Sequence, residues 1–154
     1  MYYAGVSRTP DTSHLWDYGF KETENTRAAG ELFTQLQRVA PLLVRLERDY
    51  KEDGFVKILS GKAVVCSFTK RQGYPGSGRY IVLASLDGFE AQNISLQVDG
   101  GQKIYNMVER REISGTLGNL KIGPGEGMVL LVGTPQQFSD DCRMIDEQLH
   151  KYYQ

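Results

Sequence analysis

Apolar and polar residues alternate with a period of two through the middle and later part of the chain, between residues 55 and 133. This period is typical of strands, and clusters of glycine, proline, serine and aspartate separate the segments that show it. The predicted strands are residues 55–59, 63–70, 79–86, 91–98, 103–108, 117–122 and 128–133. Because no helical pattern interrupts them, they predict a mainly β fold, an antiparallel β-sandwich or barrel of about seven strands.

The last predicted strand is apolar on both of its faces. Successive side chains of a strand point to opposite sides, which places Met128, Leu130 and Val132 on one face and Val129 and Leu131 on the other. We therefore expect this strand to be covered on both sides. The loop before it, GPGEG at residues 123–127, contains the proline and glycines that allow a tight turn.

Helical periods lie on either side of the strands. Between residues 24 and 50 apolar residues recur every three or four positions, and Pro41 within this pattern predicts either a kinked helix or two short helices. After residue 133, Thr134 suits an N-cap and Pro135 the first helical position. The apolar stripe of this second helix is Phe138, Cys142, Ile145, Leu149 and Tyr152. We expect both helices to pack on the sandwich.

These patterns divide the chain into three parts. Residues 1–23 form an irregular, aromatic-rich segment, residues 24–53 a linker helix, and residues 54–154 a β-sandwich with its C-terminal helix. The chain of 154 residues is long enough for one domain with a real core. We see no internal repeat.

Composition and charge exclude several function classes. The net charge of −1, with scattered Lys and Arg, predicts neither a nucleic-acid partner nor an anionic membrane surface. The first residues lack a signal-peptide pattern, and no apolar run is long enough to span a bilayer. Cys66 and Cys142 are expected to be buried free thiols. Two Cys and two His argue against a closed structural zinc site, so we expect no metal and no cofactor.

The aromatic cluster near the N-terminus is the strongest polar-aromatic feature of the sequence. An indole flanked by hydrogen-bonding residues suits the apolar face of a sugar. The residues alone favour a second interpretation, in which Trp16 only anchors its own segment. A further ring, Tyr74, is expected at the tip of a hairpin loop. The candidates for carbohydrate contact are Trp16, Tyr18, Tyr74, His14 and Asp17.

No motif fixes a reaction. The glycine-rich loop at residues 73–78 lacks the order G-x-G-x-x-G and precedes a strand, so a hairpin loop is favoured over a phosphate site. Ser13, His14 and Asp17 have the residue types of a nucleophilic triad, but nothing resembles a nucleophile elbow. The charge run at residues 109–112 is typical of a solvated surface. The catalytic residues, if the chain has any, stay unknown.

Three stretches resemble a known family: TRAAGELFTQLQRVAPLLVRL at residues 26–46, RYIVLASLDG at 79–88 and LKIGPGEGMVLLVG at 120–133. They resemble the C-terminal β-sandwich accessory domain, with its linker helix, of bacterial glycoside hydrolase-like proteins. In that family a (β/α) catalytic barrel precedes the helix. The resemblance implies that residues 1–22 end such a barrel, that the preceding catalytic domain is the partner, and that the parent protein is periplasmic or extracellular. It transfers no catalytic residue, because those belong to the barrel.

The sequence thus leads to a ranked set of hypotheses. The first is a non-catalytic accessory domain of a carbohydrate-active protein, which packs on a catalytic barrel and contacts glycan. The second is a self-standing enzyme acting on carbohydrate, with Asp17 and His14 near its site. The third is a protein–protein interaction module whose two helices dock a partner.

Overall fold

The computed structural model describes residues 24–50, 54–99, 102–113 and 119–152. The chain forms two compact units, Met1–Leu36 and Gln37–Gln154. The described part of the first unit, residues 24–36, is helical. The fold and the site described below belong to the second unit.

Within the described residues, the chain forms two helices and nine strands. The helices are α1 (Glu24–Leu43) and α2 (Pro135–Tyr152). The strands are β1 (Leu46–Arg48), β2 (Val56–Ser60), β3 (Ala63–Lys70), β4 (Arg79–Ser85), β5 (Gln92–Val98), β6 (Lys103–Asn106), β7 (Arg111–Glu112), β8 (Leu120–Ile122) and β9 (Gly127–Gly133).

The strands form two antiparallel sheets. The larger has six strands in the order β1-β3-β4-β9-β6-β7, and the smaller has three in the order β2-β5-β8. Every strand pair in both sheets is antiparallel. The structure therefore confirms the predicted fold class, a mainly β chain of antiparallel sheets with one helix before the strands and one after them.

Apolar side chains from both sheets meet in a first core. The larger sheet contributes residues of β4 and β9, and the smaller sheet contributes residues of β5 and β8; these are Ile81, Leu83, Leu130 and Val132 on one side and Ile94, Leu96, Leu120 and Ile122 on the other. Each of them is buried. Within the predicted strand 91–98, Ile94 and Leu96 alternate with polar residues and form this inward face.

A second core lies on the opposite face of the larger sheet, under the helices. Its buried members include Tyr80, Val129 and Leu131 from the sheet, Val39 and Leu42 from the end of α1, and Ile145 from α2. Strand β9 lies between β4 and β6 and supplies side chains to both cores. The prediction that its two apolar faces are both covered is confirmed.

Several predicted boundaries need correction. The first helix ends at Leu43 and not near residue 50, and it contains Pro41 as one helix, so the alternative of two short helices is wrong. Residues 46–48 instead form β1, which pairs with the end of β3 at the edge of the sheet. Leu46, Glu47 and Arg48 are residue types that favour a helix, and the pairing with β3 overrides this local preference.

Candidate functional site

A cavity of about 220 Å³ lies at the end of the larger sheet where β3 ends and β4 begins. Three parts of the chain build it: the turn between α1 and β1, the loop from β3 into β4, and the first half of α2. All of them belong to the unit Gln37–Gln154.

The floor of the cavity is a buried polar network centred on Asp141. Lys70, the last residue of β3, donates a hydrogen bond to Asp141 Oδ1 at 2.5 Å, and the Tyr80 hydroxyl donates to Asp141 Oδ2 at 2.6 Å. The side chains of Lys70 and Asp141 are only 11% and 2% exposed. A buried charge is tolerated when it is paired and its other hydrogen-bonding positions are filled, and Asp141 meets both conditions.

The electrostatics of this network argue against a proton-transfer role for Tyr80. Burial raises the pKa of the Tyr80 hydroxyl, and the hydrogen bond to Asp141 and the negative charge of that carboxylate raise it further. The hydroxyl therefore stays protonated and acts as a fixed donor. The three groups hold two strands and a helix together.

The loop between β3 and β4 closes over the Lys70 side chain. Gly76 has a φ of 107°, and a Cβ atom there would lie 2.6 Å from Lys70 Nζ. Both observations favour glycine, because other residues rarely adopt this backbone conformation and because a Cβ atom would displace an ammonium group that is bonded to Asp141. The predicted hairpin loop at residues 73–78 is confirmed, since it joins two antiparallel strands.

The start of α2 fixes the other wall of the cavity. The backbone N–H of Gln137 donates to Thr134 Oγ1 at 3.2 Å, and the backbone N–H of Thr134 donates to Gln137 Oε1 at 2.8 Å. This reciprocal pair is a capping box, and it confirms Thr134 as the predicted N-cap. The Gln137 side chain also donates to Ser77 Oγ at 2.9 Å, which ties the helix to the β3–β4 loop.

The rim of the cavity combines an aromatic ring with charged groups. The Tyr74 side chain is 43% exposed, and the Arg45 guanidinium lies over its ring at 5.2 Å from the centroid. Arg143 donates to Asp140 at 2.9 Å in an exposed pair on α2. The rim therefore offers an aromatic surface, a carboxylate and two guanidinium groups to a small ligand.

Only one of the sequence-predicted contact residues can be placed. Tyr74 lines the cavity, as a ring at the tip of the hairpin loop. The other four candidates, Trp16, Tyr18, His14 and Asp17, lie outside the described residues.

Sequence reasoning missed the residues that build the floor. Asp141 is not part of the predicted apolar stripe of α2, but it follows Phe138 by three positions and precedes Ile145 by four, which places it on the buried face. That spacing was the available signal. Nothing in the sequence pointed to Lys70 as its partner.

Other predicted surface and cysteine features are largely as expected. The charge run at residues 109–112 is exposed. Its Arg110 forms a bidentate salt bridge with Asp146 of α2, with N–O distances of 3.0 and 2.6 Å. Cys66 and Cys142 are free, although both are half-buried and not fully buried as predicted. Burial raises the pKa of the Cys142 thiol, an effect that nearby Arg110 partly opposes.

In the described part of the chain, no group of three or more His, Cys, Asp and Glu side chains is arranged to hold a metal ion. Neither described helix has the length and apolar character that crossing a bilayer requires. Comparison of the chain with protein-family models, with curated proteins and with solved structures gave no match.

Proposed function

We propose that this protein is a non-catalytic accessory domain of a carbohydrate-active protein, which binds a saccharide in the cavity beside Tyr74. In this proposal its partner is the preceding catalytic domain of the same polypeptide. The observation that carries the saccharide site is a partly exposed ring at the mouth of a small cavity whose lining also includes charged side chains. The family resemblance of residues 26–133 supports the accessory role.

The size and chemistry of the cavity suit a small polyhydroxylated ligand. Its volume of about 220 Å³ is below the roughly 300–1,000 Å³ of pockets for drug-sized ligands. Aromatic rings provide area for the apolar C–H face of a sugar, while carboxylate and guanidinium groups bind its hydroxyls. Tyr74, Asp140 and Arg143 supply these groups at the rim.

The pairing of the carboxylates supports a binding role over a catalytic one. Glycoside hydrolysis needs two carboxyl groups on either side of the bond, one of them protonated. The two carboxylates that line the cavity, Asp140 and Asp141, are adjacent on α2, and each already accepts a hydrogen bond from a cation. This arrangement therefore favours a role for the two carboxylates in binding a ligand over a role in hydrolysis.

Affinity electrophoresis through gels that contain soluble polysaccharides tests the proposal. We expect retardation by at least one polysaccharide, and we expect Tyr74→Ala to weaken binding by about 2- to 12-fold, the range for an aromatic contact. Tyr50→Ala is the matched control, because Tyr50 also carries an arginine over its ring, Arg48 at 5.1 Å, and lies outside the cavity.

Two results would contradict the proposal. The saccharide site is wrong if no polysaccharide retards the protein, or if the Tyr74 and Tyr50 variants lose binding equally. Hydrolysis of chromogenic glycosides by this chain alone would contradict the non-catalytic role and favour the self-standing enzyme.

A further inference from the structure

We infer that the cavity selects an acidic saccharide, in which a carboxylate or sulfate on the sugar ring binds the guanidinium of Arg45. This inference rests on the proposed saccharide site and adds the chemical class of its ligand. It follows from how the charges around the cavity are paired.

Among the described residues, three cations and two carboxylates line the cavity. Lys70 is paired with Asp141 in the floor, and Arg143 is paired with Asp140 on the rim. Arg45 is the third cation, and within the described part of the chain its guanidinium has no carboxylate partner. The cavity therefore carries one excess positive charge, at Arg45.

The position of Arg45 is fixed by its backbone. Its N–H donates to the carbonyl of Leu42 at 2.9 Å, and its carbonyl accepts from the N–H of Arg71 at 2.8 Å. The second bond joins the turn after α1 to the loop that carries Tyr74, whose own N–H donates to the carbonyl of Arg71 at 3.1 Å. The ring and the guanidinium are thus held on one short, bonded piece of structure.

This arrangement places the anion-binding group beside the sugar-binding surface. The guanidinium carbon of Arg45 is 5.2 Å from the centroid of the Tyr74 ring. The guanidinium covers one face of the ring, so a sugar that contacts the exposed part of the ring would bring its substituents close to the guanidinium. The planar fork of arginine matches the two oxygens of a carboxylate, or two oxygens of a sulfate, in a bidentate hydrogen bond.

The floor of the cavity cannot supply the same selectivity. Lys70 is nearly enclosed, at 11% exposure, and its charge is already balanced by Asp141. Both polar ends of the Gln137 amide are also in use, one toward Thr134 and one toward Ser77. Arg45 is therefore the residue expected to distinguish an acidic ligand from a neutral one.

Titration of the full chain by calorimetry with matched polysaccharides tests the inference. Polygalacturonate is compared with the same polymer after methyl esterification, which removes the negative charge and keeps the sugar. A sulfated galactan and a neutral galactan distinguish sulfate from carboxylate as the source of the anion. We expect the acidic form to bind at least about 10-fold more tightly than its neutral counterpart, as a charge-assisted hydrogen bond implies.

Variants of the two stacked arginines assign the effect to a residue. Arg45→Gln should lower the affinity for the acidic polymer by roughly 10- to 100-fold, and Arg45→Lys, which keeps the charge but not the fork, by less. Arg48→Gln is the matched control and should leave affinity unchanged, since Arg48 stacks on Tyr50 outside the cavity. Circular dichroism checks that each variant is folded.

The outcomes separate this inference from the proposed function. Equal binding of acidic and neutral polymers overturns the inference, and the Tyr74 site still stands if Tyr74→Ala weakens both. Equal losses in the Arg45 and Arg48 variants also overturn it. Binding of no saccharide overturns both the inference and the proposed site. Tighter binding of the sulfated galactan alone supports the inference, with sulfate as the anion.

Discussion

The two ends of strand β4 use an aspartate in different ways. At its beginning, Asp141 accepts hydrogen bonds from Lys70 and Tyr80, which are 71 and 61 residues away in the sequence. At its end, Asp87 accepts from the backbone N–H groups of Phe89 and Glu90 in its own loop, both at 3.0 Å. A strand of seven residues separates these ends by about 20 Å.

The two ends of β4 therefore differ in the structure that each aspartate organises. The Asp141 network joins two strands and a helix, so it determines the shape of a cavity that several elements enclose. The backbone bonds to Asp87 shape one loop, which presents Phe89 at 95% exposure. The other side-chain partners of Asp87 are Gln92 at 3.2 Å and the mostly exposed Lys62 at 3.8 Å. A long-range network is therefore the feature that accompanies the candidate site.

The largest expected effect is the loss of the buried network. Asp141→Ala leaves the Lys70 ammonium and the Tyr80 hydroxyl without their partner, and breaking a buried pair in this way costs about 3–5 kcal/mol of the free energy of unfolding. Urea denaturation measures it. The control is Asp140→Ala, which removes a neighbouring exposed pair worth about 0–1 kcal/mol. Similar losses in the two variants would contradict the assignment of Asp141 as the centre of the network.

A smaller effect is expected from alanine in the loop that covers Lys70. Gly73 and Gly76 have φ values of 92° and 107°, so alanine at either position costs roughly 1–2 kcal/mol of backbone strain. At Gly73 a Cβ atom meets nothing within 4 Å, whereas at Gly76 it would lie 2.6 Å from Lys70 Nζ. Gly76→Ala should therefore lower the free energy of unfolding more than Gly73→Ala does. Equal losses would mean that the loop does not press on Lys70.

The smallest expected effect is a local response of the Asp87 loop to acid. The N–H groups of Phe89 and Glu90 hold the pKa of Asp87 below its usual value of 3.8, opposed by partial burial and assisted by Lys62. The stabilisation of the loop is thus complete above pH 3.8 and is lost as the pH falls through the lower pKa of the folded state. Amide hydrogen exchange at Phe89 and Glu90 should speed up in this range, once corrected for intrinsic rates.

A substitution without a titrating group provides the control for that measurement. Asp87→Asn keeps a side-chain oxygen that can accept the same N–H bonds, and it should remove the dependence on pH. If exchange in the variant still responds to acid, the response does not come from Asp87.

Much of the fold could be predicted because burial imposes a local period on the sequence. The bounds of β3, Ala63–Lys70, agree with the prediction, and the two apolar faces of β9 identified a strand covered on both sides. Short edge strands could not be predicted, since β1 and β7 have three and two residues and show no period. Their existence depends on pairing with β3 and β6.

The candidate site could be predicted only in part, for the same physical reason. Tyr74 was recognisable because a ring among glycines at residues 73–78 has no local core to enter. The partners Lys70 and Asp141 come from distant segments, and a buried ion pair leaves no periodic trace in either one. The excess charge at Arg45 likewise depends on which cations are paired, and pairing is a property of the folded chain.

The place of β9 in the sheet has a consequence for the order in which the chain can fold. This strand lies between β4 and β6, yet residues 127–133 follow both of them in the chain and are synthesised after them. Until they emerge from the ribosome, the hairpin of β3 and β4 has an open, hydrogen-bonding edge that includes the apolar run of β4. Completion of the sheet requires contacts distant in sequence, which makes folding slow compared with that of a helical domain and leaves the nascent chain prone to pairing with other strands.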